Sequence, residues 1–377
     1  MQNSADNYAQ WIRNVMTQAN DEQLILIGSS FDEPLHLLGK TLKKAFQGGL
    51  PETYQSVFVN GNPLVVDLLS SHYRVAPESV LCTTGVTTSL ALLYRTFTQP
   101  GDHILIESPG LDLFTILANE RGLDIDFVDR PARLNFSVDL DNLKAKIRKD
   151  TRLLVLSNLH NPSGALMLAE EIKEIAAIAA AHDCIVIMDE IYLGYVENED
   201  GSATSAHLAE NIVAINSLTK THGLSSLRCG WVIASARYME PLRRYNSLHE
   251  YGVSKLAHAI AGLVLQEEDI YRAHRQSVMK QVKPRIDFHI AELIKDGLVN
   301  DFVPQYGCMY FPIIKGIDDT KAFTSWLGRE KKVVVAPGEY FGMSGAVRLG
   351  LPERNNDLCL ALERFSSGIR TYIEEGR

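Results

Sequence analysis

The chain has 377 residues, 46% of them apolar, and a net charge of −9 at pH 7. That length buries a large core, most simply as one large domain plus a smaller one. Polyanion binders are usually basic, so the acidic balance argues against nucleic acid and anionic membrane as partners. Residues Met1–Gln10 are polar, with no basic segment leading into an apolar run, so no secretory signal is expected. A membrane span needs about 18 or more uncharged apolar residues. The longest apolar region, Ile172–Met188, is broken by Glu174, His182 and Asp183. The five cysteines, Cys82, Cys184, Cys229, Cys308 and Cys359, are scattered and odd in number, which suits a reduced, cytoplasmic protein. No CxxC or HExxH spacing is present, so no metal site is expected.

In chain order, Ile25–Gly28 reads as a strand ahead of a helix over His36–Gln47. Ser79–Thr83 is the next strand, and a helix follows from Thr87 to Thr98. Strand His103–Glu107, helix Leu113–Arg121 and strand Asp124–Val128 come next, then strand Arg152–Ser157 and helix Ala169–His182. The runs Cys184–Met188, Ile212–Ile215 and Cys229–Ala234 complete about seven strands. Short, purely apolar strands separated by helices predict a mostly parallel, seven-stranded α/β sheet covered on both faces. In such sheets ligands bind beyond the carboxyl ends of the strands. One long helix is expected over Asp269–Lys295, followed by strands Met309–Ile313, Lys332–Ala336 and Ala346–Leu349 mixed with helices. The expected division is a large α/β domain over 45–275 and a smaller α+β domain from 1–44 and 276–377.

Five short motifs stand at strand ends or in strands. In Ser217-Leu-Thr219-Lys220, followed eight residues later by Arg228, the hydroxyls and the arginine suit one phosphate, and the amine suits an imine with an aldehyde. A lone lysine is ordinarily a solvated surface residue. Asp189 ends an apolar run and Tyr192 follows three residues on. A strand-end Asp is often a plain cap, but a carboxylate there also pairs with a protonated pyridine nitrogen. Asn161-Pro-Ser-Gly164 is turn chemistry, with Asn161 able to reach a ligand oxygen and His160 read as local structure. Gly85-Val86-Thr87 opens a helix whose first N–H groups point at an anion. Arg348 lies inside an apolar strand pattern, and a buried arginine needs a partner such as a substrate carboxylate.

These motifs, in this order from about Asp32 to Leu349, resemble fold-type I pyridoxal 5′-phosphate enzymes, specifically the class I/II aminotransferase family. The resemblance implies that Lys220 binds the cofactor aldehyde and then shuttles a proton, and that Asp189 pairs with the pyridine nitrogen. It implies that Asn161 and Tyr192 serve the 3′-oxygen, and that Gly85, Val86, Thr87, Ser217, Thr219 and Arg228 hold the phosphate. Arg348 would bind the substrate carboxylate. A homodimer with shared active sites is implied as well.

The chain departs from the family pattern in three places. Leu111 stands where an aromatic residue usually stacks on the pyridine ring, with Phe114 nearby. Ser56 stands at the position of a tyrosine that reaches the partner subunit's phosphate, leaving Tyr54 as the candidate. Ser30-Phe31-Asp32-Glu33-Pro34 replaces a Gly-x-Gly-Glu-Pro pattern, which puts Ser30 at the substrate pocket. The segments Asn158–Gly164 and Gly223–Trp231 also resemble those of capreomycidine-synthase-like enzymes. The implied reaction is amino transfer between an α-amino acid and a 2-oxo acid. The alternatives are a lyase, cyclase or oxidase on the same fold, or a non-catalytic ligand-binding relative.

Overall fold

The computed structural model describes residues 7–20, 22–55, 60–196, 204–249, 252–353 and 357–376. Eleven strands form among them. The two-residue strand β1 (Leu24–Ile25) pairs in parallel with β9 (Val333–Val334), and β10 (Ala336–Pro337) pairs antiparallel with β11 (Val347–Arg348). The others are β2 (Val80–Thr83), β3 (His103–Ser108), β4 (Asp124–Asp129), β5 (Thr151–Ser157), β6 (Ile185–Asp189), β7 (Ile212–Ser217) and β8 (Gly230–Ile233). They make one seven-stranded sheet in the order β2-β8-β7-β6-β5-β3-β4. Strands β3 to β7 pair in parallel, whereas β8 runs antiparallel to both of its neighbours.

The predicted seven strands are thus present, each within a residue or two of its expected ends. Apart from the largely exposed edge strand β4, their central residues are buried because helices cover both faces: Ile187, Val213 and Ile215 pack toward one side, Val186, Met188 and Ile212 toward the other. Alternation of this kind between two dry faces is what yields an unbroken apolar run.

The short strands differ more from expectation. Met309–Ile313 forms only isolated bridges, Tyr310 to Leu349 and Ile313 to Ala346. Lys332–Ala336 splits into β9 and the start of β10, and Ala346–Leu349 contributes only β11. This region packs around one cluster in which Leu24 and Leu26 meet Ile286, Ile290, Tyr310, Phe323 and Phe365. Its burial is supplied largely by helices, so the strand pieces stay short. The long helix is present as Glu268–Lys295. A helix over Tyr8–Gln18 precedes β1, with Asn7 as its N-cap accepting from the Gln10 N–H.

At the carboxyl end of the sheet lies a fully buried ion pair. Arg130 Nη1 donates to Glu107 Oε2 at 2.6 Å, with both side chains at 0% exposure. Arg130 also donates to the carbonyls of Phe136 (2.7 Å) and Ser157 (2.9 Å). Glu107 in turn accepts from the Ser157 N–H at 3.0 Å and from the Ser157 hydroxyl. Two strands and a loop are therefore tied by charge-assisted bonds just below the Asn158–Asn161 turn. Removing one member of such a pair strands the other charge, at a cost of about 3–5 kcal/mol. We expect Arg130→Leu to lower unfolding free energy by about that amount in a denaturant titration, and Glu107→Gln by less because the amide stays hydrogen-bonded.

Candidate active site

The strand ends and the turns after them bring the predicted residues to one edge of the sheet. Asp189 is the last residue of β6 and is buried, with 4% exposure. Its Oδ1 accepts from the Ile191 N–H at 3.0 Å. Burial, with Glu107 and Glu190 nearby, pushes its carboxyl up to about 7 against the opposing effects of that N–H and of Lys220. Lys220 sits in the single helical turn Leu218–Thr221 that follows β7. Burial and the positive charge of Arg348 press its amine down to about 8, against the pull of Asp189. The amine donates to the Ser29 hydroxyl at 2.7 Å. Ser217 caps this turn, its hydroxyl accepting from the Thr219 N–H at 3.2 Å.

Arg348, in β11, is 1% exposed and forms no ion pair among the described residues. Its Nη1 donates to Asn161 Oδ1 at 3.0 Å, and its Nη2 donates to the Tyr8 hydroxyl and, at 3.4 Å, to the Ile27 carbonyl. The guanidinium carbon lies 4.7 Å from the ring centroids of both Tyr8 and Phe341. Gly28 and Gly350 exchange close main-chain contacts here. A Cβ on Gly350 would come within 2.2 Å of the Gly28 carbonyl oxygen, so only glycine lets Ile27–Ser29 run this close to β11.

A second polar cluster stands beside β2 and β8. Gly85, at φ +104°, starts the helix Val86–Phe97. A Cβ at Gly85 would lie 2.9 Å from Arg228 Nη2, which donates to the Thr84 carbonyl at 3.0 Å. The glycine thus lets the guanidinium lie close against this helix N-terminus, an arrangement suited to a phosphate. Val86 is buried, whereas Thr87 and Arg228 are exposed.

Other predicted residues fall differently. Tyr192 is buried near Ser29, and burial raises its hydroxyl above the ordinary range. Ser30 does not face the lysine amine: its hydroxyl donates to the carbonyls of Lys220 (3.0 Å) and Thr219 (3.4 Å). Leu111 is half-buried at the start of helix Asp112–Arg121, next to Gly110, whose N–H donates to the Phe341 carbonyl at 3.0 Å. Phe114 packs into the core on one face of the sheet, away from this edge. Tyr54 is half-buried, and its N–H donates to the Pro51 carbonyl. Ser56 lies outside the described residues. His160 is buried and locked, Nε2 bonding the Pro109 carbonyl and Nδ1 the Ser163 hydroxyl, and burial holds it neutral.

Four further residues join the cluster that the motifs did not indicate: Tyr8, Ser29, Cys308 and Phe341. Cys308 is fully buried near Tyr195, whose hydroxyl donates to the Lys220 carbonyl at 3.3 Å, and its thiol is pushed up to about 11 by burial.

The electrostatic consequence is testable on the cofactor-free protein. Asp189 titrates near 7 when folded and near 3.9 when unfolded. Between those values the unfolded chain has lost a proton that the folded chain keeps, so this group makes stability fall as pH rises through that window. Asp189→Asn should therefore raise the thermal midpoint of the cofactor-free protein at pH 8 and change it little at pH 4. An equal shift at both pH values would show that Asp189 is not a buried, unpaired carboxylate.

Comparison with known proteins gives a consistent picture. Residues 57–362 match the family described as aminotransferase class I and II. An aspartate aminotransferase of Pyrococcus horikoshii is 26% identical, the match covering 95% of this chain and 94% of the relative. A capreomycidine synthase of Streptomyces vinaceus is 24% identical, with 87% and 85% covered. Among solved structures, an aspartate aminotransferase of Thermus thermophilus superposes with a TM-score of 0.82 at 22% identity, covering 96% of this chain and 95% of the other. At that identity the likeness speaks for the fold.

Proposed function

Because the chain belongs to the class I and II aminotransferases, enzymes that depend on pyridoxal 5′-phosphate, we propose that it moves an amino group between an α-amino acid and a 2-oxo acid, with Lys220 as the cofactor-bearing lysine. One observation carries the reading. Asp189, Lys220 and Arg348 meet at one edge of the sheet, each without an ion-pair partner among the described residues. The cofactor and an amino acid together supply all three missing partners: a pyridinium, an aldehyde and a carboxylate.

The residues fit the group. Where Arg228 meets the helix N-terminus at Gly85, a phosphate would be held by the Val86 and Thr87 amides, Ser217, Thr219 and Arg228. Asp189 would hold a proton on the pyridine nitrogen. Asn161, whose Nδ2 is not engaged by Arg348, and Tyr192 would donate to the 3′-oxygen. Leu111 would cover the ring by dispersion, without aromatic stacking. When bound, the cofactor supplies an electron sink conjugated to the substrate Cα.

The protein supplies the rest. An amine lowered to about 8 is neutral in substantial part near that pH, so Lys220 is a competent nucleophile and base. Ser29 orients that amine, and Ser30 fixes the main chain that carries it. With the cofactor bound, Lys220 would take the proton from the substrate Cα and return it two bonds away, on C4′. Arg348 holds the α-carboxylate, which fixes the Cα–H bond relative to the lysine.

In the same reading, residues 45–275 form the large domain, with 1–44 and 276–377 the small one. The working unit is a cytoplasmic homodimer in which Tyr54 serves the partner's phosphate.

The half-reaction tests the assignment. Mixed with amino acids and no 2-oxo acid, the cofactor-loaded protein should convert its cofactor to the amine form and release one 2-oxo acid per site. A lyase or cyclase would instead turn over repeatedly and recover its starting absorbance, which would overturn amino transfer. The match to a capreomycidine synthase makes this comparison worth running.

A further inference from the structure

We propose that Tyr8 is a substrate-binding residue, donating its phenolic proton to the α-carboxylate held at Arg348. The inference rests on the carboxylate reading of Arg348 above.

Tyr8 opens the helix Tyr8–Gln18, upstream of the stretch that matches the family. It is 93% buried, because 7% of its surface remains exposed. Burial raises its hydroxyl above the ordinary range, despite the opposing charge of Arg348, so the phenol keeps its proton. The oxygen accepts from Arg348 Nη2. The hydroxyl hydrogen, however, has no acceptor among the described residues. A buried O–H donor without an acceptor costs stability, and such groups ordinarily have a partner. Arg348 has a spare donor of its own, since its Nε is buried without a hydrogen-bond partner. Both spare donors belong to one guanidinium–phenol pair that forms no ion pair among the described residues, Asp112 meeting Tyr8 through its main-chain N–H. A carboxylate is the ligand that accepts from both at once.

The tyrosine is also held in place. Its N–H donates to Asp112 Oδ2 at 2.8 Å, which ties the start of the helix to the residue after Leu111. Its ring packs against Trp11 and Phe341, with centroids at 5.9 and 5.1 Å. A hydroxyl fixed this way needs no rearrangement to meet the substrate.

The test uses two reagents that trap the bound cofactor whatever the natural substrate. Aminooxyacetate carries a carboxylate; O-methylhydroxylamine lacks one. The readout is the ratio of their trapping rate constants, followed by the loss of the cofactor's visible absorbance. Tyr8→Phe keeps the ring packing and removes only the hydroxyl. It should lower the ratio about tenfold, the worth of one hydrogen bond to a charged group, through the aminooxyacetate rate alone. Arg348→Met should lower the ratio further, by about a hundredfold. An unchanged ratio in Tyr8→Phe, with a collapsed ratio in Arg348→Met, overturns the role of Tyr8 and leaves the carboxylate reading intact. An unchanged ratio in both overturns the carboxylate reading itself. An equal drop with both reagents also overturns the proposal, since it marks a general structural effect.

Discussion

Three charged side chains are held at one edge of the central sheet without ion-pair partners among the described residues: Asp189, Lys220 and Arg348. Such groups are costly to bury, and proteins usually pair them or leave them in water. The perturbations follow. The acid is pushed up to about 7 and the amine down to about 8, toward each other and toward neutrality. Groups whose environments move their titration toward the working pH are suited to holding and passing protons.

The scaffold that keeps these groups in place is built from paired charges and close main-chain contacts. Glu107 and Arg130 lock β3, β5 and the Phe136 loop together, and Ser157, which both contact, accepts through its hydroxyl from the Asn161 N–H. Gly28 and Gly350 let the Ile27–Ser29 segment lie along β11, which sets Ser29 at the lysine amine and Ile27 at the arginine. The site therefore draws on residues from position 8 to position 348, joined by a few rigid contacts rather than by one local motif.

Much of this was legible in the sequence, and the reason is periodicity. Strands buried on both faces leave unbroken apolar runs, so Val80–Thr83, Thr151–Ser157 and Ile212–Ser217 announce themselves and their ends announce the site. The reversal of β8 was not legible, because an apolar run carries no direction. The apolar pattern overstates the small-region strands because Met309–Ile313 pairs only through isolated bridges and spreads its side chains over three separate apolar clusters. The helix Tyr8–Gln18 did carry a signal. Tyr8, Trp11, Ile12, Val15, Met16 and Ala19 follow helical spacing and pack against one cluster. It was hidden by the polar residues around it. Ser29 left no trace, since a single hydroxyl gains meaning only from a lysine 191 positions away in the chain.

The central claim is that Lys220 is the residue to which the cofactor is bound. Borohydride reduction of the cofactor-loaded protein, followed by proteolysis and mass spectrometry, reads this directly. The account predicts a stable phosphopyridoxyl adduct on the peptide containing Lys220 and on no other lysine, and no adduct in Lys220→Ala. An adduct mapped to a different lysine in the native protein would contradict it.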